Sequence, residues 1–486
     1  MAKKTTKKAS KKTATKKSTA RKSTAKTTAK KAAKKAAKKT TKKTAGKSSA
    51  KKSKATTAKK TAKKTAKKTA KKTAKKATKA TTRRGAEPGP SVPRPSGLAR
   101  GAGTGRKVDK VYMAEVRKEN DRLDRTTVKS IVHTADQIHR TILAGDKPNL
   151  KFPVRSLNNV SYSAKKGYLE IGRSRKERTL TVNTVKGFAQ TLRMMGLSKE
   201  LVESHDFATK RDVYYQSKNW NEARFNDQTE SDTVMDDIEA LFSVDDISRE
   251  QLRFVPDEHG GAVAGQLIVH DPDLETGEIE RIDCTRFGSG AYSIPSSVEH
   301  LSFETDAKFI LAIETGGIFQ RLQSHKYWRQ ANCILVSMAG VPTRSTRRFI
   351  RRLSEQAGIP VHAFVDCDPY GISNIYRTLK VGSGNAAHIN KFFCVPWANF
   401  LGVTPDDIVK YDLPTHPLKD VDIKRAKDAL KNDPFFQSKK RWSAALEQLL
   451  KMGVRAEQQA LAKWGLNYVI DEYLPQKLAE PAKFLP

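Results

Sequence analysis

Short apolar runs alternate with segments of helical periodicity through the second half of the chain. The runs have the length of buried strands and lie at residues 308–314, 331–340, 361–368 and 389–397. Between them, residues 342–358 and 370–381 have helical spacing. This alternation predicts βαβ units and a parallel sheet that is buried on both faces. We therefore predict an α/β domain over residues 246–486, with its ligand beyond the carboxyl ends of the strands.

The region before this domain mixes helical and strand patterns. Apolar residues in 128–143 follow helical spacing, residues 155–183 alternate like short strands with a turn at Gly167, and residues 184–197 form a second helical pattern. Helices and a small hairpin in about 120 residues suit a winged-helix type of DNA-binding domain. We predict such an α+β domain over residues 107–245, although many small α+β domains share this pattern.

Charge is concentrated at the N-terminus. The 486-residue chain has a formal net charge of +42. About 36 of its 93 Lys and Arg residues precede residue 85, and no acidic residue occurs before Glu87. Residues 1–84 are low-complexity Lys, Ala, Thr and Ser, with a TAKK repeat over 57–76. Lysines at every fourth position repel one another along a helix face, so we predict a disordered tail.

Such a tail would bind DNA phosphates without sequence preference and with a strong salt dependence. It resembles the tails of linker histones and their bacterial counterparts. A tail that only keeps the chain soluble is the alternative. Residues 85–106 are rich in Gly and Pro and predict a flexible linker to the folded part.

Four cysteines form no CxxC pair and lie among apolar residues: Cys284, Cys333, Cys367 and Cys394. We expect reduced core thiols and no zinc site. No apolar run has the length of a membrane span, and the N-terminus lacks the apolar segment of a secretory signal. The sequence thus predicts a soluble intracellular protein without a membrane partner.

Three carboxylates follow the predicted strands. Glu314 ends the first run, and Asp366 and Asp368 end the third. Since the carboxyl ends of parallel strands meet at one edge of a sheet, we expect the three side chains to lie together. Their repulsion would require a cation, and an all-oxygen ligand set favours Mg²⁺. Surface aspartates that cap the next helix are the alternative.

Two adjacent tyrosines occur in the stretch RDVYYQSKNW, residues 211–220. Adjacent side chains diverge on a helix or a strand, so Tyr214 and Tyr215 cannot both contact one phosphate. The residue pattern alone does not choose between them. Core packing or base stacking is the ordinary role of such a pair.

These motifs together resemble a known family. The segments ILAIETGGIFQRL and VDCDPYGI resemble the Glu and Asp-x-Asp signature of a Toprim domain. With GSGAYSIPSSVEHL and RSLNNVSYSAKKGYLEIG they are similar to the A subunits of type IIB DNA topoisomerases, the topoisomerase VI family. The meiotic double-strand-break transesterase belongs to the same superfamily. The resemblance runs from about residue 107 to the C-terminus.

The resemblance implies roles for the tyrosine segment. An Arg-Asp/Glu-x-aromatic-Tyr motif carries the family nucleophile at its last position, which is Tyr215 here. Arg211 and Asp212 match the preceding pair. On a helix Arg211 would share the face of Tyr215 and either activate the phenol or hold the phosphate, and Asp212 would orient that arginine. Tyr214 then has a packing role.

The resemblance also implies a reaction and its partners. Glu314, Asp366 and Asp368 would bind Mg²⁺, and Tyr215 would cleave double-stranded DNA through a 5′-phosphotyrosine and reseal it. The tyrosine of one protomer would meet the carboxylates of the other in a homodimer. The chain has no G-x-x-x-x-G-K-[ST] motif. The family obtains ATP through a GHKL-type ATPase B subunit, in an A2B2 heterotetramer that relaxes or decatenates chromosomal DNA in a nucleoid or nucleus.

The chain differs from the family pattern at two positions, and two alternative functions remain open. The family pattern has Lys and Asp where this chain has Thr315 and Thr343, which concerns contacts around the metal ligands. A stand-alone break-forming transesterase is one alternative function. A DNA-compacting architectural protein on a degenerate enzyme scaffold is the other.

The basic run 344–353 predicts a helix with Phe349, Ile350 and Leu353 toward the core and its arginines outward. These arginines would form either a solvated face or a contact with the DNA backbone.

Overall fold

The computed structural model describes residues 110–256, 260–273, 276 and 278–486, with the side chains of all of these except 110–113. The predicted basic tail and linker lie outside the described residues. Among the helices in the described ranges, none is long and apolar enough to cross a membrane.

The first part of the described chain is built mainly from helices. Its elements are α1 (Lys110–Leu143), β1 (Asn149–Pro153), β2 (Val160–Ser163), β3 (Tyr168–Ile171), β4 (Arg175–Thr179), α2 (Val185–Glu203), β5 (Ala208–Thr209), α3 (Lys210–Gln216), α4 (Gln228–Phe242) and β6 (Phe254–Val255). β1 pairs with β4, and β2 pairs with β3, both in antiparallel fashion. The apolar faces of α1 to α4 share one core, which includes Met194, Val213 and Met235.

The β2–β3 hairpin packs against the second part of the chain. Gly167 supplies the positive φ that its turn needs. The Leu169 N–H donates to the Val381 carbonyl at 3.1 Å, and the Tyr162 ring meets Phe435 edge to face. The hairpin thus joins the first part to the large core that surrounds the main sheet.

The second part opens with antiparallel strands and continues with βαβ units. Its elements are β7 (Ala262–Gly265), β8 (Ile268–Pro272), β9 (Ile279–Asp283), β10 (Tyr292–Ser293), β11 (Ser302–Glu304), β12 (Phe309–Ile313), α5 (Gly316–Ser324), α6 (Tyr327–Gln330), β13 (Cys333–Ser337), α7 (Arg344–Ala357) and β14 (Val361–Phe364).

The chain ends in helices with three further short strands. They are α8 (Arg377–Lys380), α9 (Asn390–Phe393), β15 (Asn399–Gly402), α10 (Pro405–Lys410), β16 (His416–Pro417), α11 (Asp420–Asn432), α12 (Pro434–Ser438), α13 (Lys440–Met452), β17 (Val454–Arg455) and α14 (Leu474–Ala479). A π-helical turn, Gly371–Tyr376, leads into α8.

The central sheet has six strands in the order β10-β7-β13-β12-β14-β15. β13, β12, β14 and β15 are mutually parallel, and β7 runs antiparallel to β13. Every residue of β12, β13 and β14 is buried, as expected for a parallel sheet with both faces covered. The prediction of a parallel sheet fed by βαβ units is therefore confirmed.

The prediction of a strand at 389–397 is wrong. Residues Asn390–Phe393 form α9, and the fourth parallel strand, β15, starts at Asn399. The Asn390 side chain donates to the carbonyls of Leu169 and Ser383, which anchors a helical turn. Pro396 has no N–H for a sheet ladder. The apolar run therefore supplies core packing before the strand begins.

The prediction of outward arginines on α7 is also wrong. Phe349, Ile350 and Leu353 are fully buried, as predicted. Arg344 and Arg348, however, lie in partly buried ion pairs with carboxylates outside the helix. The sequence pattern could not show these partners, because Arg344 meets Glu239 at a separation of 105 residues.

The four cysteines are free and buried, as predicted for core thiols. Burial raises the pKa of the Cys284 and Cys394 thiols to about 12, so neither is a thiolate at neutral pH.

Candidate active site

Two of the predicted carboxylates meet at the carboxyl edge of the central sheet. Glu314 directly follows β12, and Asp366 lies two residues beyond β14. These strands are neighbours in register, with Ile313 opposite Phe364. The Asp366 N–H donates to Glu314 Oε2 at 2.9 Å, and both side chains are about nine-tenths buried. Of the three carboxylates expected to lie together, Glu314 and Asp366 are the two that a hydrogen bond joins at the strand ends.

The third carboxylate, Asp368, faces a different set of partners. The Gly371 N–H donates to Asp368 Oδ1 at 2.6 Å. A side chain at Gly371 would meet the Asp366 carbonyl at 2.9 Å, so the close approach requires glycine. The other oxygen, Asp368 Oδ2, lies 3.5 Å from Arg455 Nη1. Asp368 is thus held by the backbone of its own loop and by the guanidinium of Arg455 on β17.

The electrostatics of this edge disfavour the charged forms of its carboxyl groups. Burial raises the pKa of Glu314 well above its usual range, and the neighbouring Asp366 carboxylate raises it further. Burial likewise raises the pKa values of Asp366 and Asp368, while hydrogen bonds from backbone N–H groups oppose the rise. Charge of one sign is therefore crowded at this edge, and a cation would relieve it.

The carboxylates have oxygens to offer such a cation. Glu314 and Asp366 each use one oxygen on a backbone N–H, and among the described residues their second oxygens, Oε1 and Oδ2, accept no hydrogen bond. In the described part of the chain, however, no group of three or more His, Cys, Asp or Glu side chains converges closely enough to enclose a metal ion. The donor chemistry fits Mg²⁺, and the third predicted ligand, Asp368, is paired with Arg455 in this structure.

The residues that surround these acids were not predicted from the sequence. Residues 454–458 lie beside Asp366 and Asp368, and they contribute Arg455, Glu457 and Gln458. The Gln458 N–H donates to Asp366 Oδ1 at 2.8 Å. The negative charge of Glu457 adds to the rise in the pKa of Glu314. No local pattern marks this segment, because its partners lie about 90 residues earlier.

The two departures from the family pattern have plain structural roles. The Thr315 hydroxyl and N–H donate to the side-chain carbonyl of Gln458. Thr343 is the N-cap of α7 and accepts a hydrogen bond from the Thr346 N–H. An aspartate at position 343 would accept the same bond, so that departure keeps the helix cap.

The tyrosine segment lies on a short, capped helix. Thr209 is the N-cap of α3, and its hydroxyl accepts a hydrogen bond from the Asp212 N–H. The Asp212 carboxylate accepts hydrogen bonds from the Thr209 N–H at 2.9 Å and hydroxyl at 2.7 Å. In this structure Asp212 therefore acts as the helix cap partner, a role that differs from the predicted orientation of Arg211.

The two tyrosines differ in exposure. Tyr215 is 57% exposed, and the Arg211 guanidinium lies 5.9 Å from the centre of its ring, on the shared i,i+4 face. Tyr214 is half-buried, packs against the helical core and donates its hydroxyl to the Asn226 carbonyl at 3.3 Å. Of the adjacent pair, Tyr215 is therefore the more exposed to solvent.

The elements that carry the tyrosine and the carboxylates pack in separate hydrophobic cores. Val213, on the buried face of α3, packs in the helical core, while β12 and β14 lie in the core of the sheet. Among the described residues, no hydrogen bond or ion pair joins α3 to Glu314, Asp366 or Asp368.

Comparison with known proteins adds family models that match consecutive parts of the chain. "Type IIB DNA topoisomerase" matches residues 186–253. "All-beta domain in DNA topoisomerase VI alpha subunit" matches residues 257–307. The Toprim domain that topoisomerase 6 A subunits share with Spo11 matches residues 309–478. A Toprim sheet preceded by these domains defines a DNA topoisomerase of type IIB.

Curated relatives define which of the subunits this is. The chain is 51% identical over 358 residues to the A subunit of type 2 DNA topoisomerase 6 from Methanocaldococcus jannaschii, covering 74% of this chain and 96% of the relative. The A subunits of Methanothermobacter thermautotrophicus and Archaeoglobus fulgidus are both 36% identical, over 72% and 74% of this chain and 96% and 98% of theirs. The chain belongs to the family of topoisomerase 6 A subunits.

Proposed function

We propose that this chain cleaves both strands of duplex DNA through a covalent bond to Tyr215 and reseals them, relaxing supercoils or separating linked duplexes. One observation carries the assignment of the nucleophile: Tyr215 is the exposed member of the tyrosine pair, on the face of α3 that also carries Arg211. A phenol that must reach a phosphate needs solvent exposure and a nearby cation.

The chemical step is a transesterification. The Tyr215 hydroxyl oxygen bonds to the scissile phosphorus as its proton leaves, the bond from phosphorus to the 3′ oxygen breaks, and the freed 3′ oxygen takes up a proton. The product is a 5′-phosphotyrosine and a 3′-hydroxyl. Attack by that hydroxyl restores the DNA without hydrolysis, so the chemical step needs no ATP. Arg211, with five donors on a planar group, is suited to hold the phosphate.

Glu314, Asp366 and Asp368 are the residues that would hold the metal. Mg²⁺ at this edge would supply positive charge to the phosphate oxygens. Glu314 and Asp366 already form a pair joined by the Asp366 N–H, so their free oxygens lie at the same strand ends. Asp368 is paired with Arg455 in this structure and would have to exchange that partner for the metal.

The complete site would form between two copies of the chain. Helix α3, which carries Tyr215, and strands β12 and β14, which precede the carboxylates, pack in separate cores, which favours the family arrangement in which the tyrosine of one protomer meets the carboxylates of another. Two such composite sites would cut the two strands of a duplex. A homodimer is then a requirement of the chemistry.

The organisation of the chain is part of the proposal. The basic tail (1–84) and linker (85–106) would precede a winged-helix-like domain (107–245) and a Toprim domain with C-terminal additions (246–486). Helices α2, α3 and α4 around a shared core, with the β1–β4 pair, support the winged-helix assignment.

A GHKL-type ATPase B subunit would complete an A2B2 assembly, since the relatives are themselves named as one subunit of a larger enzyme. The assembly would act on chromosomal DNA, in a nucleoid or a nucleus. The tail would add salt-dependent contacts to that DNA.

The central test compares Tyr215→Phe with Tyr214→Phe as the matched control. Each variant is incubated with supercoiled DNA, Mg²⁺, ATP and the B subunit, denatured, and assayed for protein bound to 5′ DNA ends. We expect no adduct from Tyr215→Phe and an adduct close to the wild-type level from Tyr214→Phe. Equal adducts from wild type and Tyr215→Phe would overturn the assignment. Cleavage without resealing by the wild type would favour a break-forming transesterase.

A further inference from the structure

The segment 454–458, which we call the clasp, pairs with the loop between two of the predicted metal ligands. The Cys367 N–H donates to the Ala456 carbonyl at 2.8 Å, and the Ala456 N–H donates to the Cys367 carbonyl at 3.1 Å. The clasp is itself anchored, because Arg455 lies opposite His416 in the β16–β17 pair. A segment from the C-terminal part of the chain is thus fixed against Asp366 and Asp368.

Gln458 is the residue of the clasp that contacts both strand ends. Its side-chain Nε2 donates to the Phe364 carbonyl at 2.8 Å, at the end of β14. Its Oε1 accepts hydrogen bonds from the N–H and hydroxyl of Thr315, the residue after Glu314. Its backbone N–H donates to Asp366 Oδ1. The side chain is fully buried.

The chemistry of an amide suits this position. Glu314 and Asp366 are crowded at the edge of the sheet, where both side chains are about nine-tenths buried and the Asp366 N–H donates to Glu314. A neutral amide donates to one strand end and accepts from the other without adding charge. A carboxylate there would add to the repulsion, and an apolar side chain would leave the buried Phe364 carbonyl without this partner.

We infer that Gln458 is a positioning residue for the metal ligands: it fixes the ends of β12 and β14 so that Glu314 and Asp366 are held ready for a divalent cation. The inference rests on the proposed function, since it takes these two carboxylates as ligands. Gln458 itself touches neither DNA nor metal in this role. Residues that support metal ligands in this way typically contribute a factor of about 10 to 100 in metal affinity.

The experiment measures Mn²⁺ binding to the full chain by the electron paramagnetic resonance signal of free Mn²⁺. Gln458→Met keeps the volume and removes the side-chain hydrogen bonds. The matched control is Gln323→Met, because Gln323 is also buried and bonds the carbonyls of Gly288 and Gly290 and the indole of Trp328, away from the carboxylates. Both variants are compared for Tm, Mn²⁺ Kd and the Mg²⁺ dependence of DNA cleavage.

We expect Gln458→Met to raise the Mn²⁺ Kd about 10-fold or more and to shift the Mg²⁺ requirement of cleavage by the same factor, with cleavage largely restored at saturating Mg²⁺. Gln323→Met should leave the Kd unchanged even if its Tm falls equally. An unchanged Kd in Gln458→Met, or an equal rise in the control, would overturn the positioning role.

A milder variant covers the case in which Gln458→Met does not fold. Thr315→Val removes one hydroxyl donor to Gln458, and we expect a smaller rise in Kd, of about 3- to 10-fold, that is not additive with Gln458→Met. No rise would overturn the inference. Asp366→Asn separates the two levels of the proposal: if that variant binds Mn²⁺ as wild type does, the proposed ligand set fails, whatever Gln458 does.

Discussion

The tyrosine region and the carboxylate region of this chain are built in opposite ways. Tyr215 lies on a seven-residue helix whose cap comes from residues three positions apart, and the side chain is more than half exposed. Glu314 and Asp366 lie about nine-tenths buried at the end of a parallel sheet, where residues from three distant segments hold them. The tyrosine region is held by contacts between residues close in sequence and is exposed to solvent. The carboxylate region is held by contacts between residues far apart in sequence and is buried.

The difference agrees with the proposed roles of the two regions. A nucleophile that must reach the backbone of a second molecule has to project from the surface, as Tyr215 does. Carboxylates that repel one another need a rigid surround to stay close, and a packed sheet edge supplies it. The comparison predicts that the tyrosine region tolerates local change and that the carboxylate region does not.

The largest expected effect on cleavage comes from inactivating each of the two regions by a point mutation. Tyr215→Phe and Asp366→Asn homodimers should each lose cleavage. Mixed dimers, formed by co-expression with two affinity tags, should nick one strand, because a site shared between protomers leaves one intact pair of tyrosine and carboxylates. Denaturing gels of cleaved plasmid distinguish nicks from double-strand breaks.

The mixed dimer can also contradict the shared site. If both regions act within one chain, neither protomer of the mixed dimer has a complete site and no nicks form. Asp366→Asn should still bind duplex DNA, which a filter-binding assay at several salt concentrations checks.

The next effect concerns the ion pairs that join the two parts of the chain. Arg344, on α7, bonds Glu239 near the end of α4 and Glu250, and both carboxylates are nearly inaccessible to solvent. Arg344→Met should lower the free energy of unfolding by about 3–5 kcal/mol, because two buried carboxylates lose the guanidinium that balances their charge. Urea denaturation measures the change.

An exposed ion pair is the control for Arg344. Arg122 and Glu119 lie one turn apart on α1, and both are more than half exposed. Arg122→Met should cost less than about 1 kcal/mol. Equal losses in the two variants would contradict the role of the buried pairs.

A pH-dependent effect tests how tightly the sheet region is packed. Lys380 donates to the carbonyls of Pro396 and Ala398, and burial lowers its pKa from 10.5 to about 7. The unfolded chain then binds more protons between about pH 7 and pH 10.5, so the free energy of unfolding should rise with pH there. The rise is at most about 1.4 kcal/mol per pH unit.

Lys380→Met should remove that rise, whatever its effect on absolute stability. Urea denaturation at pH 7, 8 and 9 measures the slopes, and Lys199→Met, a change on the exposed side of α2, should keep the wild-type slope. Parallel slopes in wild type and Lys380→Met would show that the lysine is charged in the folded protein.

The smallest effect concerns the cap of the tyrosine helix. Thr209→Ala removes the hydroxyl that accepts the Asp212 N–H and should cost about 1 kcal/mol, with faster amide hydrogen exchange over residues 210–216. Cleavage should fall several-fold, since Tyr215 and Arg211 lose their fixed spacing. Thr404→Ala, which breaks the similar capping box of α10, should leave cleavage unchanged.

Prediction from the sequence succeeded where the hydrophobic pattern is strong. The apolar runs of β12 and β14 are continuous, and parallel strands end at the same edge of a sheet, which was enough to place Glu314 beside Asp366. The choice of Tyr215 over Tyr214 needed the family pattern, because adjacent residues carry no difference in period. Its greater exposure supports that choice from physical grounds.

Prediction failed where a side chain is satisfied by a distant partner. Arg344 fits an exposed helix face by pattern, yet Glu239 and Glu250 bind it from the first part of the chain. Asp212 is occupied by the helix cap, a use that its spacing from Thr209 allows but does not distinguish from binding Arg211. Gln458 carries no motif at all, because its role depends on a fold that brings it to Asp366.

The ion pairs of Arg344 have one more consequence. They bind the tyrosine-bearing part of a chain to its own sheet through buried charge, so each protomer is expected to move as one body. In a dimer with shared sites, the break can then widen only if the protomers part, and that motion withdraws both tyrosines from both sets of carboxylates together. In the proposed dimer the two DNA ends would travel with their tyrosines, so resealing would require the protomers to return to the closed arrangement.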